Sequence, residues 1–151
     1  SNIMDQTIVD FLQKQTCATI CCTNEAGRPY CFSCYYACNP EQSLLYFKSS
    51  VDSYHCGLMA RNRILSGTIL PDKLNKMITR GVQWNGELTD NSDPLAENAF
   101  VNYHKKFPMA LVIKGQVFTI RLDDIKMTDS NLGKMKKILW KRAQEKADSV
   151  Q

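Results

Sequence analysis

"YCFSCYYAC", residues 30–38, has apolar or aromatic side chains on both sides of what reads as an extended chain. Successive side chains of a strand point to opposite faces, so Tyr30, Phe32, Cys34, Tyr36 and Cys38 share one face and Cys31, Ser33, Tyr35 and Ala37 the other. Neither face is built for water, so both need a cover. The interior of a small barrel supplies one cover, and a partner subunit or an aromatic ligand supplies the other.

The flanking sequence supports a barrel. TCATICCT (16–23) is rich in β-branched residues and cysteine, and the turn residues of NEAGRP join it to residues 30–38 as a hairpin. NPEQ turns the chain into SLLYFKSS (43–50), a third strand. A short helix is expected at 53–62. RILSGTIL (63–70) and MITRGVQWNGEL (77–88) read as strands joined by a Pro-Asp-Lys turn, and VFTIRLDDIKM (117–127) as another. Six to seven strands joined mostly by short turns predict a mainly β fold, a closed antiparallel barrel with added helices, because a parallel α/β sheet needs helical crossovers throughout. Met4, Ile8, Phe11 and Leu12 give an amphipathic helix over 4–14. DPLAENAFVNYHKKF (93–107) reads as one helix with Pro94 in its first turn and Leu95, Ala99 and Tyr103 on one side. KMKKILWKRAQEK (134–146) reads as a basic closing helix.

The chain has 151 residues, 44% hydrophobic and 23% charged, which suits one globular domain with its own core and excludes a disordered or fibrous chain. No apolar run reaches the eighteen or so residues of a membrane span, and no basic region followed by an apolar one opens the chain. A soluble cytoplasmic protein with no membrane partner is expected. Residues 1–3 read as the remnant of a cleaved tag, Met4 as the native start and 143–151 as a flexible tail. A net charge of +4 is too small by itself to argue for nucleic acid. Lys134, Lys136, Lys137, Lys141, Arg142 and Lys146 crowd the last segment and read as a solvated helix face; nucleic-acid binding through them is the weakest of three functional readings.

Seven cysteines raise metal and disulfide chemistry. Cys31 and Cys34 form C-x-x-C, but residues three apart in a strand face opposite ways, whereas a zinc knuckle needs both on one side. An odd count with no export signal speaks against a disulfide framework. Cys17, Cys21, Cys22, Cys31, Cys34 and Cys38 are therefore expected to be small buried hydrophobes, with no metal site.

YFKSSVDSYHCGLMARN (46–62) passes from strand through hydroxyls into a helix. Ser49, Ser50, Ser53 and Lys48 at a helix start could hold a phosphate end-on; Ser53 could equally be a plain N-cap, and both readings stay open. Neighbours in a helix lie about 100° apart, so His55 and Cys56 are not expected to act as a nucleophile pair. His104 is expected to be solvated, and Trp84 and Trp140 to be packing residues. No general acid or base stands out.

The third strand, its turn, "HCGLMARN", "ILSGTI" and "RGVQWNGEL" resemble the FMN-binding split-barrel superfamily typified by pyridoxamine 5'-phosphate oxidase. "AENAFVNYHKKFP", "FTIRLDDIKMTD" and "LGKMKKILW" resemble more closely a small branch of it, in the same order, over roughly residues 5–142. The resemblance implies a split β-barrel homodimer with FMN at the subunit interface. It implies that Cys34, Tyr35, Tyr36, Tyr46 and Phe47 line the isoalloxazine, and that Ser49 to Ser53 hold the phosphate. Arg80 or Gln83 would reach the flavin, and Lys137 and Trp140 of the partner would close the site. The oxidase's Arg-Lys pair on the phosphate turn is replaced here by Asp52 and Ser53, and its substrate-binding Arg and His have no clear equivalent, so vitamin B6 oxidation is not expected. The implied function is an FMN-dependent oxidoreductase of unknown small-molecule substrate. The alternative is a non-catalytic dimeric barrel module that binds small molecules but has lost tight flavin binding.

Overall fold

The computed structural model describes residues 3–131 and 134–143. The expected tag remnant at residues 1–2, the tail at 144–151 and the last part of the expected closing helix lie outside the described residues. Seven strands form one antiparallel sheet: β1 (Cys17–Thr23), β2 (Pro29–Asn39), β3 (Leu44–Ser49), β4 (Ile64–Ile69), β5 (Arg80–Leu88), β6 (Gln116–Asn131) and β7 (Lys134–Lys141). Their order is β3-β2-β1-β4-β5-β6-β7, and β3 also pairs with β6. That pairing closes six strands into a split barrel, as the strand count and short turns led one to expect, and leaves β7 outside it.

The sixteen-residue β6 makes the closure. Along one edge it pairs first with β3, from Gln116↔Ser49 to Arg121↔Leu44, and then with β7, from Asp124↔Lys141 to Asn131↔Lys134. Along the other edge it pairs with β5, and the register shifts between Asn85 and Gly86, leaving Asp123 as the extra residue of a bulge. The bulge reverses which parity faces inward. Leu122 and Ile125 are both buried, whereas an unbroken alternation would turn Asp124 and Lys126 toward the core.

The expected closing helix is a strand over Lys134–Lys141. Lysine, methionine and leucine favour helix locally, but β3 covers only the first part of its β6 edge, and the unpaired remainder offers eight backbone partners. Alternation then buries Trp140 and half-buries Ile138, while Met135, Lys137 and Leu139 face out.

Three α-helices join the sheet. α1 (Gln6–Lys14) is capped by Asp5 and buries Ile8, Phe11 and Leu12; α2 (Tyr54–Arg61) is capped by Ser53. The helix expected over 93–107 is two pieces, a 3-10 turn at Pro94–Ala96 and α3 (Ala99–Lys106). Asn98, with φ −102° and ψ 14°, leaves the helical region between them, yet Leu95, Ala99 and Tyr103 still reach one cluster.

The barrel interior is packed. Ile20, Tyr36, Phe47, Leu65, Trp84 and Ile120 are at most 2% exposed, and α1 and α2 add to the same cluster. A second cluster lies outside the barrel, where α3 covers Ala37, Leu44, Tyr46 and Val117. The cysteines divide accordingly. Cys22 is buried and Cys34 and Cys38 are half-buried in the barrel, with burial pushing the Cys34 thiol up to about 12. Cys17 and Cys31 are exposed and Cys21 is half-exposed, which corrects the expectation for those three: they lie on the parity that faces outward. Among the described residues no cluster of metal-ligating side chains occurs, and Cys31 and Cys34 do face opposite ways.

Gly67 lets β4 pass Trp84. A Cβ there would stand 2.2 Å from the Thr19 carbonyl oxygen and 2.3 Å from the indole. Gly67→Ala is expected to destabilise by about 1–3 kcal/mol through overpacking, whereas Gly57→Ala in α2, where a Cβ meets nothing within 4 Å, should stabilise by about 0.5–1 kcal/mol. Urea midpoints of the two variants check this, and equal shifts would contradict it.

Candidate functional site

β3 delivers the hydroxyl-rich turn. Leu45 and Phe47 point into the barrel, Ser49 shares their face, and Leu44, Tyr46 and Lys48 face α3. Lys48 and Ser49, expected side by side at a phosphate, therefore leave the strand in opposite directions. Lys48 Nζ donates to the Ala110 carbonyl at 2.7 Å and lies 3.0 Å from His104 Nε2. His104 Nδ1 lies 2.8 Å from the Phe100 carbonyl, which can only accept; Nδ1 thus carries the proton and Nε2 is free to accept from Lys48. His104 is buried, not solvated as expected, because α3 rolls it under its own first turn and onto Lys48.

At the turn itself, Ser49 Oγ is 2.6 Å from His55 Nε2 and 3.4 Å from Ser53 Oγ. Ser53 accepts from the Cys56 N–H at 3.3 Å, so it does cap α2. The Asp52 N–H reaches Ser50 Oγ at 3.3 Å, and the Asp52 side chain is exposed. The His55 ring stacks on Phe32 at 3.7 Å and 10°, Phe32 lies against Phe47, and Phe47 against Phe118. Burial lowers the His55 imidazole below its ordinary 6.5, so at neutral pH the ring is uncharged beside Ser49. His55 and Cys56 do not act on each other; the histidine is engaged by Ser49.

Of the other residues the sequence singled out, Cys34, Tyr36 and Phe47 lie in the barrel core and Tyr46 lies under α3. Tyr35 points outward, 58% exposed, with its ring 5.5 Å from Phe107. Arg80 Nε is held by Asp129 at 3.1 Å. Gln83 is exposed on the outer wall, in an open depression of about 720 Å³ shared with Thr19, Ser66, Thr68, Lys126 and Trp140. Trp140 is buried and packs in the core, and Lys137 is exposed on the opposite face of β7. A single chain thus gathers Ser49, Ser53 and His55 in one place and Gln83 with Trp140 in another.

Three residues were missed. Lys114 precedes Gly115, whose backbone lies so close to Ser49 that a Cβ would be 3.1 Å from its carbonyl oxygen; Lys114 is exposed beside the turn. Only the β3–β6 register reveals this. Lys106 donates to the Gln15 carbonyl and sits 4.4 Å over the Tyr36 ring, and burial lowers its ammonium. Arg142 donates to the carbonyls of Leu122, Gln42 and Ser43 at 2.8–3.0 Å and so ties the end of β7 to the β2–β3 turn. Lys106 and Arg142 flank an open groove of about 1240 Å³ between α1, that turn and α3.

No family model matches the chain. A protein from Serratia proteamaculans, named UPF0306 protein, is 34% identical over 137 residues, 91% of this chain and 94% of that one. The chain belongs to the UPF0306 family. A second member, from Cronobacter sakazakii, is 33% identical over 91% of this chain and 95% of its own. Among solved structures, this UPF0306 protein is similar to a heme binding protein from Mycobacterium smegmatis (TM-score 0.69, 13% identity, 85% of this chain and 54% of that one). It is also similar to a FAD-binding protein from Mesorhizobium loti (TM-score 0.65, 15% identity, 87% and 98%) and to an F420 reductase (TM-score 0.57, 15% identity, 77% and 93%). At these identities the likeness shows the shared split-barrel fold.

Two outcomes follow for this UPF0306 protein. Lys48→Ala strands the buried His104 nitrogen and the Ala110 carbonyl, and is expected to cost about 1–3 kcal/mol in urea unfolding; an unchanged midpoint would contradict the tie. His55 resists protonation when folded while the unfolded chain accepts a proton at the ordinary 6.5, so His55 lowers stability as pH falls through 6.5. The His55 resonance should titrate below 6.5 by NMR, and His55→Gln should flatten that part of the stability profile.

Proposed function

We propose that this protein is a flavin-binding split barrel that takes FMN on the outside of the barrel, at the interface of a homodimer, and uses it in redox chemistry on a small molecule. The observation that carries the reading is the conjunction of a filled barrel with a built turn. Trp84, Tyr36 and Phe47 occupy the interior, so a planar ligand has to lie outside it. Ser49, Ser53 and the start of α2 present hydroxyls and N–H groups at one spot beside it. The fold is shared with a FAD-binding protein and an F420 reductase, which supports a flavin over other planar ligands. Both histidines of the chain are hydrogen-bonded, His55 to Ser49 and His104 to Lys48, which gives no such support to heme.

The residues fit the group in part. Ser49 and Ser53 would hold the phosphate, Lys114 would supply the nearby cation, and Gln83 with the partner's outer wall would face the ring. FMN would supply hydride or electron transfer, and the chain would bind it, orient it and set its polarity. The wall such a twin would cover carries Tyr35, Met135 and Leu139, at 58%, 63% and 73% exposure. A second reading, a binding module without tight flavin, is favoured by one specific observation. Lys48 and Arg80, two of the cations the sequence offered to the cofactor, are tied to His104 and Asp129, and Asp52 is exposed at the turn.

The visible spectrum of purified protein with and without added FMN tests the reading: flavin absorbance, released on denaturation, supports it, and a colourless protein that takes up no FMN rejects it. If the turn is the phosphate site, Asp52→Lys should tighten FMN by about tenfold or more, since each 1.4 kcal/mol is a factor of ten, and leave riboflavin unchanged. Lys114→Ala should weaken FMN and again spare riboflavin. Sedimentation of the flavin-loaded protein should give the mass of two chains.

A further inference from the structure

The outer wall carries a second constellation, unrelated to the turn. Cys21 of β1 stands directly opposite Cys31 of β2, both on the outward parity. The hydrogen bonds of the hairpin fix what kind of pair this is. The Asn24 N–H bonds to the Arg28 carbonyl, and at the other end the Tyr36 N–H bonds to the Thr16 carbonyl. Hydrogen-bonded pairs alternate along an antiparallel ladder, so 24/28, 22/30, 20/32, 18/34 and 16/36 are bonded pairs. Cys21 and Cys31 form a non-hydrogen-bonded pair, in which the two chains approach to about 4.5 Å between Cα atoms and the side chains are closest. A disulfide spans about 4.4–6.8 Å between Cα atoms, so the two sulfurs can join without moving the backbone. Both thiols line the 720 Å³ depression that also holds Gln83, which is open to a small reagent where neither flavin nor a twin covers it.

We propose that Cys21 and Cys31 are a redox-active dithiol that exchanges with small-molecule disulfides. Cys31, the exposed member, attacks as the thiolate. One sulfur of the incoming disulfide bonds to Cys31 and the other leaves as a free thiolate that takes a proton from solvent. Cys21 then loses its proton to solvent and attacks the Cys31 sulfur, forming the Cys21–Cys31 bond and expelling the second small thiol. Two protein thiols are oxidised by two electrons, and one small disulfide is reduced to two thiols. The order of attack has a physical cause: the thiol–thiol hydrogen bond to Cys31, burial and the charge of Cys31 together push Cys21 up to about 11, so Cys21 is the member that holds its proton, and Cys31 is the more exposed of the two. A bridge with one exposed member is open to reductant, as suits a reversible couple rather than a structural staple. The other exposed thiol, Cys17, faces Tyr35 and lacks such a partner across the ladder.

The reagent for the test is oxidised glutathione, applied to the reduced full chain without flavin, so that the result stands whether or not FMN binds. Afterwards free thiols are alkylated and the chain is cleaved after Glu25, which separates the two cysteines, without reduction. The wild type is expected to lose two thiols, retain no glutathione at either position, and give fragments joined through Cys21 and Cys31. Cys21→Ser should stop at one glutathione on Cys31, and Cys31→Ser should form no bridge. The proposal is overturned if Cys17 takes up glutathione while Cys21 and Cys31 stay free, if both keep separate adducts, or if the joined fragments are linked through other cysteines. Circular dichroism of each variant separates loss of chemistry from loss of fold.

Discussion

The edge of β6 between Gln116 and Asn131 is the constraint on which the rest depends. At about 3.3–3.4 Å per residue a sixteen-residue strand is more than twice as long as usual, and no single neighbour here is long enough to cover it. β3 takes six residues of one edge and closes the barrel; β7 takes the next eight; the Asp123 bulge between them lets one strand serve both and keeps Leu122, Ile125 and Met127 inward. Arg142 ties the junction shut by donating to Leu122, Gln42 and Ser43, which joins the bulge, the β2–β3 turn and the end of β7. Unpaired backbone would otherwise face water along a long flat edge.

From that closure the two candidate surfaces follow. Filling the barrel with aromatic residues pushes any ligand outside, and the β3–β6 register sets Ser49 and Gly115 against each other at one end of the strand pair. The same closure puts β1 and β2 on an outer wall that no helix covers along Cys21, Cys31 and Ser33, while α3 covers the wall over β3. One part of the outside is thus a second core, and the other an open surface with a dithiol and a depression.

Periodicity made much of this visible. The mixed faces of residues 30–38 called for a barrel, the apolar spacing of α1 and the turn at NEAGRP came from local pattern, and the packing of Trp84 and Trp140 followed from residue type alone. Even the bulge has a trace, since Ile120 and Leu122 keep one parity and Ile125 and Met127 the other. The candidate site was less legible. Ser49 and Ser53 meet as their sequence spacing suggests, but Lys48 was placed beside them by proximity along the chain, and in a strand adjacent residues point apart. Lys114 lies more than sixty positions from Ser49 in sequence, and only strand pairing brings them together.

The sequence by itself determined the first six strands, their turns and the need to cover both faces of β2, because alternation and turn chemistry are local. Tertiary structure alone decided that residues 134–141 become a strand and that His104 is buried on Lys48. Both depend on which distant edge or helix stands opposite, and a vacant ladder or a buried hydrogen bond outweighs the fraction of a kcal/mol by which local propensity differs.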